Sequence, residues 1–240
     1  MNERPRRGLS GFSLKLIALA SMTVDHAGVV LFEQLEWMRM VGRLAFPIYA
    51  FLLVEGFVHT RHRGRYCLRL GMFALLSEWP FDLAVFGGAD MRGQNVFFTL
   101  LLGVLMLWGC ERFSGARGLR LLPLLAPIAA VLLRCDYDVG GLLLIWMFWV
   151  KRGDAHAVSL PIGIFCGGYA LAALHGALTG QPQLLWGAGI ELCALAAIAP
   201  LRCYHGVRGG AGLPPWLEKG LLYGYYPLHL LLFAAMRGWC

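Results

Sequence analysis

The chain has 240 residues, of which 58% are apolar and 15% charged, and carries a net charge of +7. Its mean hydropathy is +0.62, whereas a soluble globular domain has roughly 45–50% apolar and about 25% charged residues, which excludes a soluble enzyme and leaves no room for a separate soluble domain. The basic residues fall between hydrophobic runs rather than on one face, so the positive charge reads as membrane topology and not as a nucleic-acid surface.

Arg4, Arg6 and Arg7 precede the first apolar run, and Ala18-Leu19-Ala20 within it resembles a signal-peptide cleavage site. Lys15 interrupts the run before that point and the apolar stretch continues to Phe32, so an uncleaved first span is expected. Hydrophobic runs then follow at 14–32, 44–58, 68–86, 96–110, 119–133, 139–150, 158–178, 184–201 and 220–236. The fifth and sixth are short and predict a tight hairpin around Arg134-Cys135-Asp136-Tyr137-Asp138. Length selects helix for these runs, because a barrel needs alternating segments of about ten residues. The expected fold is therefore all-α: a polytopic transmembrane helix bundle of about nine spans, with eight or ten as alternatives, forming one integral-membrane domain over residues 1–240.

Lys and Arg set the orientation. With the N-terminus inside, the inner segments hold Arg4, Arg6, Arg7 and Lys15, then Arg61, Arg63, Arg65 and Arg69, then Arg112, Arg117 and Arg120, then Lys151 and Arg152, then Arg202, Arg208 and Lys219. The outer segments hold only Arg39, Arg43, Arg92, Arg134 and Arg237. That bias predicts a cytoplasmic N-terminus. The seven cysteines are scattered without a Cys-x-x-Cys pair and read as small apolar residues. Many of the 31 glycines lie within spans and suit close helix packing. Gly206–Pro215 reads as a flexible inner loop.

The chemistry lies in the ionisable residues that interrupt apolar runs, since such groups cost several kcal/mol at membrane depth. Asp25 and His26 are neighbours in the first run; at about 1.5 Å per residue, His26 lies roughly 18 Å beyond Leu14, just past the midplane. Arg43 opens the second span, Glu78 and Asp82 flank Pro80 in the third, Asn95 opens the fourth, and His229 falls near the middle of the ninth. Neighbours on a helix diverge by about 100°, so Asp25 does not serve His26. A carboxylate from another span, Glu78 or Asp82, would orient the ring for acid/base work near neutral pH. The structural alternative is a network in which Asp25, Arg43 and Glu78 satisfy one another. Glu55 and His59 share a helical face at the inner edge, followed by Arg61, Arg63 and Arg65. This set, with Arg69, is either a topology anchor or a patch for a phosphate-bearing cytosolic cofactor. No close-spaced ligand motif supports a metal, and none is expected.

The runs Val24-Asp25-His26, Gly42-Arg43-Leu44-Ala45-Phe46-Pro47, Phe51–Thr60, Ser77-Glu78-Trp79-Pro80-Phe81-Asp82-Leu83 and Gln94–Leu100 resemble the TraX family. The match is dense over residues 13–110, returns at Tyr225-Tyr226-Pro227-Leu228-His229, and between 111 and 215 rests on hydropathy alone. The family's namesake N-acetylates the pilin subunit of a conjugative pilus. The resemblance implies an integral-membrane acetyltransferase of the bacterial cytoplasmic (inner) membrane that uses acetyl-CoA and acts on an exported protein or glycan acceptor.

Together these observations suggest that acetyl-CoA docks by its phosphates at the inner edge and reaches toward the outer half of the bilayer. There His26 would act as base or acetyl carrier, with Arg43 and Asn95 at the tetrahedral oxyanion. Two rivals stay open: a proton-coupled transporter, which also buries charges, and a non-catalytic assembly factor for surface appendages. No second Asp-His or Ser-Glu-x-Pro element supports the repeat that a transporter favours.

Overall fold

The computed structural model describes residues 8–90, 92–115, 119, 121–152 and 157–237. Arg4, Arg6, Arg7, Arg117, Arg120 and Cys240 lie outside the described residues. Among the described residues the fold is all-helical, with no strand and only two isolated bridges, Leu9 with Tyr204 and Gln94 with Cys135. The helices are α1 (Gly11–Val30), α2 (Glu36–Gly42), α3 (Ala45–His59), α4 (Arg63–Phe86), α5 (Val96–Arg112), α6 (Leu125–Leu132), α7 (Asp138–Val150), α8 (Ser159–Thr179), α9 (Pro182–Glu191), α10 (Ile198–Arg202) and α11 (Pro215–Arg237).

Every expected run is found as helix, but not every run is one long helix. Four helical stretches are long and apolar enough to cross a membrane: Gly11–Val30, Glu36–His59, Ser159–Thr179 and Pro182–Arg202. The second takes in α2, a helix within the expected outer segment, and so carries Arg39 and Arg43 inside the apolar stretch. The fourth passes through a 3-10 segment, Leu192–Ala197, and encloses Glu191. The fifth run is broken by a 3-10 turn at Leu122–Leu124, and α7 has 13 residues, which at about 1.5 Å each span roughly 20 Å of a core about 30 Å thick. Arg63, Arg65, Arg69, Glu78 and Asp82 raise the charge of α4, and three tyrosines with His229 lower the hydropathy of α11.

The chain forms two compact units. The first comprises residues 1–52 and 151–220. Ser10 starts α1, its hydroxyl accepting from the Ser13 amide at 3.1 Å. There α1 packs on α2, α8 on α9, and both α2 and α9 on the 3-10 segment Leu192–Ala197. Part of the stretch expected to be flexible is held down: Gly11 N donates to Val207 O and Phe12 N to Arg208 O, both at 2.8 Å. Gly206 and Gly209 make the loop possible with φ of 78° and 63°, values that side chains with a Cβ resist.

The second unit comprises residues 53–150 and 221–240, where α5 packs against α4, α6 and α7. Asn95 starts α5, its Oδ1 accepting from the Phe97 amide at 3.1 Å. The expected hairpin lies between α6 and α7, where Arg134 and Asp138 adopt φ of 54° and 41°. Cys135 N donates to Ala130 O at 2.9 Å and Gln94 N to Arg134 O at 3.1 Å, which offsets the cost of the left-handed turn.

Candidate functional site

In the first unit, Asp25 and Arg43 come together as a buried ion-pair network rather than as isolated groups. Arg43 Nη2 donates to Asp25 Oδ1 at 2.7 Å and Nη1 to Glu191 Oε1 at 2.6 Å. Arg39 Nη1 adds a bond to Asp25 Oδ2 at 3.2 Å. The Arg43, Asp25 and Glu191 side chains are only 8%, 11% and 17% exposed, so their charges are compensated by one another and not by solvent. Close approach permits this: a Cβ on Gly42 would overlap the Asp25 carboxyl. Ser21 closes the arrangement by donating to Val41 O at 2.6 Å. Two cations and two carboxylates thus tie α1 to α2 and α9. Both Nη groups of Arg43 are engaged by carboxylates, which gives it a clamping role in this geometry. The partner found for Asp25 is Arg43, as in the structural alternative, but the second carboxylate is Glu191 in place of Glu78.

Glu191 was missed from the sequence, although it carries the signal that singled out Asp25: an acid within an apolar run. Its distance from Arg43 in the chain hid the pairing. A second missed cluster is Glu218, buried at 4% exposure, with Lys15 Nζ at 3.8 Å and Arg208 Nη2 at 3.9 Å. His26, half-buried in α1, also belongs to this unit.

The second unit holds Glu78, Asp82, Asn95 and His229. Asn95 spends its whole amide on structure. Nδ2 donates to Glu78 Oε2 and to Ala74 O, the latter at 2.8 Å, while Oδ1 caps α5. Asp82 is buried and accepts from the Asp90 amide at 3.0 Å, fixing the loop after α4. Ser77 and Thr99, inside the motifs but not singled out, are fully buried hydroxyls on α4 and α5. His229 is 4% exposed, stacked on Tyr225 with ring centroids 4.9 Å apart, and edge-on to Tyr226 and Phe233. Its Nδ1 lies 2.8 Å from Tyr225 O; a carbonyl only accepts, so Nδ1 carries the proton and a neutral ring has its lone pair on Nε2.

The expected cofactor patch also falls in this unit. His59 Nδ1 donates to Glu55 O at 2.8 Å. Arg63 pairs with Glu111 and lies over the Phe57 ring at 4.7 Å. Arg61 and Arg65 are exposed. Arg69 is half-buried against the rings of Tyr66 and Tyr223. Among the described residues no three His, Cys, Asp or Glu side chains gather as a metal-ligand set.

The chain as a whole is similar to known proteins. A family model described as "TraX protein" matches residues 10–237. "Probable fimbrial assembly protein FimC, serogroup H1" of Dichelobacter nodosus is 27% identical, covering 95% of this chain and 96% of its own. "Protein TraX" of Escherichia coli is 30% identical, covering 93% of this chain and 85% of its own. "Uncharacterized protein RP591" of Rickettsia prowazekii (strain Madrid E) shares 45% identity over 38 residues, 16% of this chain and 15% of its own. No solved structure gives a significant match. With the match running from the cap of α1 to the last residue of α11, the chain belongs to the TraX family.

Proposed function

We propose that this protein is a multi-pass acetyltransferase of the bacterial inner membrane, with its N-terminus in the cytoplasm and about nine passes through the bilayer, and that it serves a pilus or a related surface structure. The observation that carries the proposal is the burial of Asp25, Arg43, Asp82, Asn95 and His229 in or beside the helices of the two units, all of them within the residues that the family model matches. A relative with a fimbrial-assembly name, beside relatives named TraX, supplies the context.

In the proposed reaction the donor is cytosolic acetyl-CoA and the acceptor is an amine or hydroxyl of an exported protein or glycan. A histidine takes the acceptor proton as the acceptor attacks the thioester carbonyl. The new C–N or C–O bond forms, the C–S bond breaks, and the leaving thiolate receives the proton. His26 is the first choice for this base. His229, whose tautomer leaves Nε2 basic, is the second. The ion-pair network around Asp25 and Arg43 holds α1, which carries His26, in register; Arg43 and Asn95 would then act chiefly by positioning. The segment Glu55–Arg69 meets the cytosolic donor.

Acetyl-CoA turnover in liposomes with a panel of amine and hydroxyl acceptors tests the proposal. His26→Gln is expected to insert normally and to lose about 10²–10⁴-fold in rate; near-normal turnover moves the base to His229. The fimbrial-assembly name of one relative favours a second reading, a non-catalytic assembly factor. It predicts no turnover with any acceptor while appendage formation still depends on the protein.

A further inference from the structure

Of the four arginines at the proposed donor edge, three have ordinary surroundings. Arg63 is neutralised by Glu111, and Arg61 and Arg65 are exposed. Arg69 differs. It lies six residues into α4, roughly 9 Å along the helix from Arg63. Its guanidinium carbon is 5.1 Å from the Tyr66 ring centroid and 5.2 Å from that of Tyr223. Its Nε is buried with no hydrogen-bond partner, and among the described residues no carboxylate lies within ion-pair distance of it. A half-buried cation without a counter-ion is costly, and two π faces offset only part of that cost.

The two rings are themselves fixed. Tyr66 is buried and donates its hydroxyl to Leu53 O at 3.3 Å. It fits because residue 56 is glycine: a Cβ there would come 3.0 Å from the Tyr66 hydroxyl. Tyr223 is stacked on Phe73 and Phe97, with centroids 5.0 Å and 5.9 Å away. The rings therefore hold the planar fork in one orientation with its donors unspent, a preorganised receptor for an anion with paired oxygens.

We propose that the Tyr66–Arg69–Tyr223 cage is a phosphate-binding site, and that Arg69, rather than the exposed arginines of the preceding loop, anchors the phosphate of the acyl donor. The second half rests on the acetyltransferase reading above; the first does not. A phosphodiester headgroup of an anionic lipid offers the same oxygens, so the test separates the two sources.

Full-length protein in phosphatidylcholine nanodiscs is titrated with coenzyme A, and with inorganic pyrophosphate as competitor. Lipid retained by protein purified from phosphatidylglycerol-containing membranes is measured by native mass spectrometry. Arg69→Gln should weaken coenzyme A binding about tenfold or more, the scale of a lost charge-assisted pair. Arg69→Lys should recover only part of the loss, since it keeps the charge without the fork. Tyr223→Leu should weaken binding, whereas Tyr223→Phe, which keeps the ring, should not. Arg92→Gln, altering an exposed loop arginine, controls for net charge. Unchanged thermal midpoints separate these effects from unfolding.

If coenzyme A does not bind but phosphatidylglycerol is retained by the native protein and lost from Arg69→Gln, the cage stands as a lipid-phosphate site and the donor assignment falls. Equal coenzyme A binding by native protein and Arg69→Gln, with no Arg69-dependent lipid, overturns the cage while leaving the acetyltransferase reading intact. Binding of neither ligand by the native protein also overturns it.

Discussion

Replacing Arg43 by methionine should be among the most damaging single changes in the first unit. The guanidinium bridges Asp25 and Glu191 at 2.7 and 2.6 Å with 8% of its side chain exposed, and removing one member of a buried pair costs about 3–5 kcal/mol because a charge is left uncompensated. The structure refines that figure. Asp25 retains Arg39 at 3.2 Å, so the greater part of the penalty falls on Glu191. Glu191→Gln in the native background removes one charge-assisted bond, about 1.5–3 kcal/mol. In the Arg43→Met background the same change relieves a stranded carboxylate, so the double variant should cost less than the sum of its parts, by about 1–3 kcal/mol. Reversible unfolding in mixed micelles at rising SDS fraction measures all four species, the eight tryptophans supplying the signal. Additivity within about 0.5 kcal/mol, or an Arg43→Met cost below about 1 kcal/mol where a buried pair predicts several, would refute the network as the clamp of this unit.

Other consequences are equally direct. Gly42→Ala places a methyl against the Asp25 carboxyl and should destabilise as strongly as Asp25→Ala in the same unfolding assay, with little added when the two are combined. Asn95→Ala strips the cap of α5 and two further bonds, which predicts a loss of about 2–4 kcal/mol. Asn95→Asp keeps the cap but sets a second carboxylate against Glu78, so its stability should rise as pH falls and either acid protonates, the opposite of the trend for a paired carboxylate. The proposed orientation places a reporter after Gly64 in the cytosol and one after Gly88 outside. The reverse pattern for these two sites would remove the inside-donor arrangement.

Much was legible in the residues alone. Long, non-alternating apolar runs favour helix over a barrel, because a helix satisfies its own backbone within one segment where water is absent, and each run is found as helix. An ionisable or amide side chain in or beside such a run is tolerated only with a partner, and Asp25, Arg43, Glu78, Asp82, Asn95 and His229 each have one. What could not be read was the identity of the partners. Helical periodicity says which residues share a face, not which helix that face meets. Nothing in the sequence therefore joins Glu191 to Arg43, or shares the Asn95 amide between Glu78, Ala74 O and the cap of α5, and the stretch Gly206–Pro215, expected to be flexible, is partly held because its own Val207 and Arg208 accept from Gly11 and Phe12. The 3-10 segments at Leu122–Leu124 and Leu192–Ala197 are equally invisible in the sequence, because hydropathy does not distinguish one helical winding from another. That a polar group among apolar residues needs a partner follows from its own solvation cost and so is written in sequence. Pairing is a choice among distant faces, made only when the chain is folded.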